Sequence, residues 1–213
     1  MADEGDGNGT VGYRWHSAEA TGANQYLLPE VVRLLMTYVP KPARVFDLGC
    51  GNGYITQALC KEGWVASGVD GSAEGVAQAR GAYPDVEVHV ASVYDDLAKR
   101  FGRFPAIISL EVVEDLYDPR RYAARMLDLL EPGGVAIIST PFHGYWKNLA
   151  MAVTGRMDRH FTALWDHGHI KFWSYKTLGF LLVEAGFEIV TWRRVGRVRA
   201  LAKSMIVVAR RPK

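Results

Sequence analysis

The sequence predicts an α/β domain built on a doubly wound, seven-stranded sheet, mostly parallel with an antiparallel last strand and helices on both faces. Three observations carry that expectation. Short, continuously apolar runs alternate with helical stretches, the pattern of parallel strands buried on both sides. A turn with three glycines, Gly49, Gly51 and Gly53, lies directly between the first run and the next helix. Two apolar runs near the C-terminus follow one another with no helix between them, as a closing antiparallel hairpin would.

The elements follow in order along 213 residues, read as one domain. Residues 1–12 are polar and glycine-rich and read as a disordered tail. Residues 13–43 form a cap region, with a helix from about Asn24 to Tyr38 carrying Leu27, Leu28, Val31, Val32, Leu34 and Leu35 on one broad face. Pro40 and Pro42 end it. A core over 44–140 holds strands at Arg44–Leu48, Val65–Val69, Val86–Val90, Ala106–Leu110 and Val135–Ser139. Helices are expected at Tyr54–Lys61, Ala73–Ala82 and Pro119–Leu130, the last stopped by Glu131-Pro132-Gly133-Gly134. Residues 141–173 are an aromatic-rich insertion. Residues 174–213 supply a helix, Lys176–Ala185, and the hairpin Phe187–Trp192 with Ser204–Ala209.

Composition excludes several classes. No apolar run approaches the roughly 20 residues of a membrane span. The acidic, glycine-rich start is unlike a signal peptide, and with two cysteines a reducing cytoplasm is the expected compartment. Cys50 and Cys60 are too few for a cysteine zinc site, and no metal site is read. The net charge of +2 conceals an asymmetry: residues 1–155 carry 13 Lys and Arg against 19 Asp and Glu, residues 156–213 carry 12 against 4. That basic half reads as a solvated surface rather than a nucleic-acid face. Peripheral membrane contact through Tyr145–Val153 is the lesser alternative. Nothing in the sequence sets the oligomeric state.

The glycine turn is the feature that carries chemistry. Glycines there admit positive φ and let a ligand approach the backbone. The helix start beyond them offers unpaired N–H groups. The dinucleotide fingerprint needs glycine at its sixth position, where this chain has Tyr54, and no triphosphate-binding loop is present. Asp70, closing the second strand before Gly71, is placed to accept from ribose hydroxyls. Asp47, two residues before the first glycine, adds negative charge that suits a sulfonium or ammonium ligand and suits a pyrophosphate poorly.

With VFDLGCGNG, GVDGS, IISLEVVEDLYDP, LEPGGVAIIST and HIKFWSYKTLGFLLVEAGF, the chain resembles the class I S-adenosylmethionine-dependent methyltransferases, a Rossmann-like fold. Within them it is most similar to the small-molecule group that includes the ubiquinone-biosynthesis O-methyltransferases. The resemblance implies transfer of a methyl group to a small-molecule acceptor, hydroxyl methylation favoured, with S-adenosylhomocysteine as product. Methylation at nitrogen or carbon, or a non-catalytic cofactor-binding subunit, are the alternatives. The resemblance assigns Asp47, Gly49, Cys50, Gly51, Asn52 and Gly53 to the amino acid end of the cofactor. It assigns Asp70 and Gly71 to the ribose, Ser92 and Val93 to the adenine, and Leu110 and Glu111 to the methionyl amine. Tyr26 is the aromatic of the first helix expected over the cofactor. Many relatives read Glu-His where this chain has Glu114-Asp115, so a base at that position is missing.

Methyl transfer to a hydroxyl benefits from a general base, and histidine suits neutral pH. His143, after the fifth strand, and His169, at the start of HIKFW, are the candidate catalytic residues. Phe142, Tyr145, Trp146, Trp165, His167 and Phe172 are the candidate acceptor-binding residues, because small-molecule pockets are walled by apolar and aromatic side chains.

Overall fold

The computed structural model describes residues 17–161, 168–196 and 202–213. The cap helix α1 spans Gly22–Tyr38, opened by Thr21, whose hydroxyl accepts from Asn24 N. There follow β1 (Arg44–Leu48), α2 (Tyr54–Lys61), β2 (Val65–Asp70), α3 (Ala73–Ala82), β3 (Glu87–Val90), α4 (Leu97–Phe101) and β4 (Phe104–Leu110). A 3-10 turn at Val113–Asp115 precedes α5 (Pro119–Leu129) and β5 (Leu130–Pro141). Then come α6 (Tyr145–Val153), α7 (Met157–His160), α8 (Tyr175–Glu184), β6 (Glu188–Val195) and β7 (Ser204–Arg210).

The strands order as β3-β2-β1-β4-β5-β7-β6. β7 runs antiparallel to both its neighbours, and the remaining described pairings are parallel. The expected fold class is therefore the observed one. Alternation along the strands divides the core. Val45, Ala106, Ile108, Val135 and Ile137 meet α1 and α2 through Leu27, Val31, Leu34, Leu35, Ile55 and Leu59. Phe46, Leu48, Ile107 and Ile138 face α5 and α8 through Tyr122, Met126, Leu178 and Leu182. Burying each such side chain contributes about 1.5–3 kcal/mol.

Three local features depart from the sequence expectation. α4 and the 3-10 turn are too short to show a helical period. β5 begins at Leu130 rather than Val135, because Phe104 pairs with Leu130 before the register shifts to Ala106 with Val135. The Pro-Gly-Gly segment keeps its pairing through Gly133 N to Arg211 O and Arg211 N to Gly134 O.

The order reverses at β1, whose neighbours β2 and β4 lead into opposite halves of the sheet. Helical crossovers leave such a sheet in opposite directions, so a crevice opens beyond the carboxyl ends of β1, β2 and β4. No helix among the described residues is long and apolar enough to cross a membrane. Several basic side chains of the C-terminal half serve the fold. Arg211 donates to Leu127 O at 2.9 Å and Leu130 O at 2.8 Å, and Arg194 donates to the Tyr175 hydroxyl while lying over the Phe142 ring.

Candidate active site

The glycine turn is built around β2. Gly49 N and Cys50 N both donate to Val69 O at 2.9 Å, and Gly53 N returns to Cys50 O. Gly49 at φ +90° and Gly53 at φ +74° occupy the left-handed region, where a side chain is strained. They are also tightly packed: a Cβ on Gly49 would lie 2.5 Å from Val112 Cγ2, and one on Gly53 2.7 Å from Ala79 Cβ.

Asp70 accepts from Gly51 N at 2.8 Å on one oxygen and from Ser72 N at 2.7 Å on the other. Burial pushes its carboxyl upward, and these two bonds oppose the shift. A Cβ on the adjoining Gly71 would meet nothing within 4 Å. Asp47 is only 2% exposed and accepts from Thr56 Oγ1 at 2.7 Å. Burial lifts it to about 7, with the Asp70 charge adding to the rise. Cys50 is buried, and burial pushes its thiol up well above the ordinary range.

Asn52 is 1% exposed, and its amide nitrogen donates to Ser17 O at 2.8 Å and Glu19 O at 2.9 Å. The side chain thus ties the N-terminal segment to the turn. Ser92 N donates to Asp95 Oδ2, while Val93 is packed into the core cluster.

At the end of β4, Leu110 is half-buried and Glu111 adopts φ +55°. A strained non-glycine residue persists where the surroundings over-determine it. Here Glu111 N donates to Ser139 Oγ, Ser139 Oγ donates to Oε1 at 2.7 Å, and Ser204 Oγ donates to Oε2 at 3.2 Å. The Tyr26 hydroxyl lies 2.9 Å from Ser204 Oγ, so α1, β4, β5 and β7 converge on one carboxyl. Burial lifts Glu111 to about 7 against those hydroxyl bonds, and His169 pulls it back down. Burial likewise takes Tyr26 up to about 12. Glu114, 1% exposed, is raised well above the carboxylate range by burial and by the Glu111 and Asp115 charges.

The last residues of the insertion pack against this carboxyl cluster. His169 Nδ1 lies 2.9 Å from Asp115 Oδ1. Ile170 N and Lys171 N both donate to Glu114 O, and Trp173 Nε1 donates to Val113 O at 3.1 Å.

His143 sits instead among rings, stacked on Phe161 at 5.7 Å and edge-on to Phe172 at 5.0 Å. Phe142 is 7% exposed and packs into the core beside Tyr175, a position that serves the sheet rather than an open wall. Tyr145 and Trp146 are exposed and contact one another edge-on. Phe172 is half-exposed, whereas Trp165 and His167 lie outside the described residues. The sequence reading missed Thr56, Ser139 and Ser204. Ser139 and Ser204 are polar residues within otherwise apolar strands, a signal that only their convergence explains.

The described residues fit a cationic, ribose-bearing group. Asp70 and Glu111 stand at the carboxyl ends of β2 and β4, Asp47 is buried near that of β1, and the turn between them is opened by glycine.

A family model described as a methyltransferase domain matches residues 20–191. The chain belongs to that family. It is 31% and 32% identical, over 158 and 152 residues, to the ubiquinone biosynthesis O-methyltransferases of Dinoroseobacter shibae and Ruegeria pomeroyi. Those matches cover 70% and 69% of this chain but 62% and 60% of the relatives, so it spans about three fifths of their length. Among solved structures, magnesium protoporphyrin IX methyltransferase of Synechocystis PCC 6803, with bound S-adenosylhomocysteine, gives a TM-score of 0.65 at 20% identity. That match covers 87% of this chain and 82% of the other. An S-adenosylmethionine-dependent methyltransferase of Methanosarcina mazei gives 0.65 at 18% identity, covering 84% and 97%.

Proposed function

We propose that this methyltransferase methylates the hydroxyl of a small aromatic acceptor, with His169 as the base. The observation that carries the reading is the position of His169. It lies beside Asp115 and acts on the Glu111 carboxyl at the carboxyl edge of β4, next to the cofactor turn. The names of the curated relatives support hydroxyl methylation, and that of an acceptor related to quinones. The rings of Phe161 and Phe172 offer an aromatic wall nearby. His143, packed between those rings, is assigned to shaping that wall.

The cofactor supplies a methyl group already activated by sulfonium charge. The chain's part is to bind, align and exclude water. In this reading the backbone at Gly49–Gly53 and the carboxylate of Asp70 hold the cofactor, Asp70 taking the ribose hydroxyls on its remaining lone pairs. Tyr26, fixed through Ser204 to Glu111, closes the α1 side. Leu110 and Glu111 present the strained end of β4 to the methionyl amine. Ser92 and Val93 flank the adenine.

Calorimetry with S-adenosylhomocysteine, paired with transfer of labelled methyl from S-adenosylmethionine to a catechol, tests the proposal. Asp70→Ala should weaken cofactor binding about 10- to 100-fold, the effect of losing charge-assisted hydrogen bonds. Labelled product on nitrogen or carbon acceptors alone, with none on hydroxyls, would overturn the assignment.

A further inference from the structure

The residue at 115 reads in the sequence as the place where a histidine is lost, yet the fold brings a histidine to it. We propose that Asp115 is a positioning residue, which holds His169 as its Nδ1–H tautomer and so makes Nε2 the proton-accepting atom. This rests on the hydroxyl-methylation reading above.

Three observations carry it. The Nδ1 to Oδ1 separation of 2.9 Å is that of a direct hydrogen bond. The segment bearing the ring is fixed independently of that contact, by Ile170 N and Lys171 N on Glu114 O and by Trp173 Nε1 on Val113 O. Both partners are about one-third exposed, so the pair stands at the rim of the crevice, where an acceptor can reach it. A carboxylate on one imidazole nitrogen sets which nitrogen carries the proton and favours the imidazolium that forms as the other takes one up.

The cluster already set out places several ionisable groups around the ring. Asp115 bonds it directly. Glu111 interacts with it from β4, Glu114 lies under the connection, Tyr26 stands beyond Glu111 on α1, and Lys171 shares the segment.

The step balances as follows. The acceptor O–H proton passes to Nε2, and the oxygen's electron pair forms the bond to the methyl carbon. The carbon–sulfur bond breaks with its pair returning to sulfur, which gives the methyl ether and S-adenosylhomocysteine. The imidazolium then releases its proton to solvent.

The test uses the full chain labelled with ¹³C,¹⁵N-histidine, the His169 signals being assigned by their loss in His169→Gln. The neutral ring should show the Nδ1–H tautomer, and Asp115→Asn should shift it toward Nε2–H. With labelled S-adenosylmethionine and catechol, Asp115→Asn should lower turnover about a hundredfold and leave the KM for cofactor unchanged. Asp115→Glu should restore part of the rate.

An Nε2–H ring in the unsubstituted protein would overturn the proposal, as would an Asp115→Asn variant with unchanged tautomer and rate. Failure of catechol to accept a methyl group, with cofactor still bound, counts against the acceptor class instead. The tautomer then decides the pairing by itself.

Discussion

At Gly49 the backbone is left-handed and a Cβ would lie 2.5 Å from Val112 Cγ2, so the turn and the segment after β4 cannot both keep their places around a side chain. Gly49→Ala should destabilise the protein by about 2–4 kcal/mol, from backbone strain together with overpacking. Adding Val112→Ala should recover only the packing part. Thermal unfolding of the two variants separates the contributions, and full recovery would show that φ carries no strain. Glu114 makes a second residue-scale prediction. Burial and two neighbouring carboxylates keep it protonated, so Glu114→Gln should leave the midpoint of unfolding nearly unchanged at neutral pH. Glu114→Ala, which leaves a buried gap, should cost about 1–3 kcal/mol. At this scale the glycines, Asp47 and Asp70 were legible in sequence, because each stands at a strand end in a turn whose chemistry is local. Ser139, Ser204 and the partnership of Asp115 with His169 were not. They are separated by tens of residues, and only β-sheet register and the docked connection bring them together.

Elements with a strong period were readable almost to the residue: β1, α2 and α3 lie where their apolar spacing and flanking glycine or serine put them. α5 was marked by Asp118 as cap and Pro119 in its first turn. The start of β5 was hidden, because Pro-Gly-Gly reads as a stop and its strand pairing comes from the far end of the chain. That same end supplies Arg211, whose guanidinium meets the carbonyls of Leu127 and Leu130 where α5 gives way to β5. Lysine presents a point charge where arginine presents a planar fork. Arg211→Ala should therefore cost about 2 kcal/mol and lower Tm by about 4–8 °C, and Arg211→Lys should cost less than alanine but more than zero. Equal Tm values for Arg211→Ala and the unsubstituted chain would remove Arg211 from the account of stability.

Across the whole molecule, the site and the fold are coupled through protons. Asp47 and Glu111 are both lifted to about 7, chiefly by burial. Between the ordinary carboxylate range and about 7 the native state holds protons that the unfolded chain has released. Their contribution to stability is complete below the unfolded values and is lost as pH rises through about 7. Without cofactor, Tm should therefore fall as pH rises from about 5 to about 8. A sulfonium favours the ionised carboxyls, so cofactor affinity should strengthen over the same interval and binding should release protons. Calorimetry in buffers of different ionisation enthalpy reads that release directly. Proton uptake on binding would contradict the assignment of these carboxyls to the cofactor side.

Ser204 lies at the first residue of the last strand, yet it donates to Glu111 and meets the Tyr26 hydroxyl from the first helix. Synthesis runs from the amino end, so the glycine turn leaves the ribosome well before the residue that completes the wall opposite it. Ser204 reaches that junction only when β7 pairs with β5 and β6. A chain stopped before residue 204 should therefore lack the hydroxyl that joins Glu111 to Tyr26.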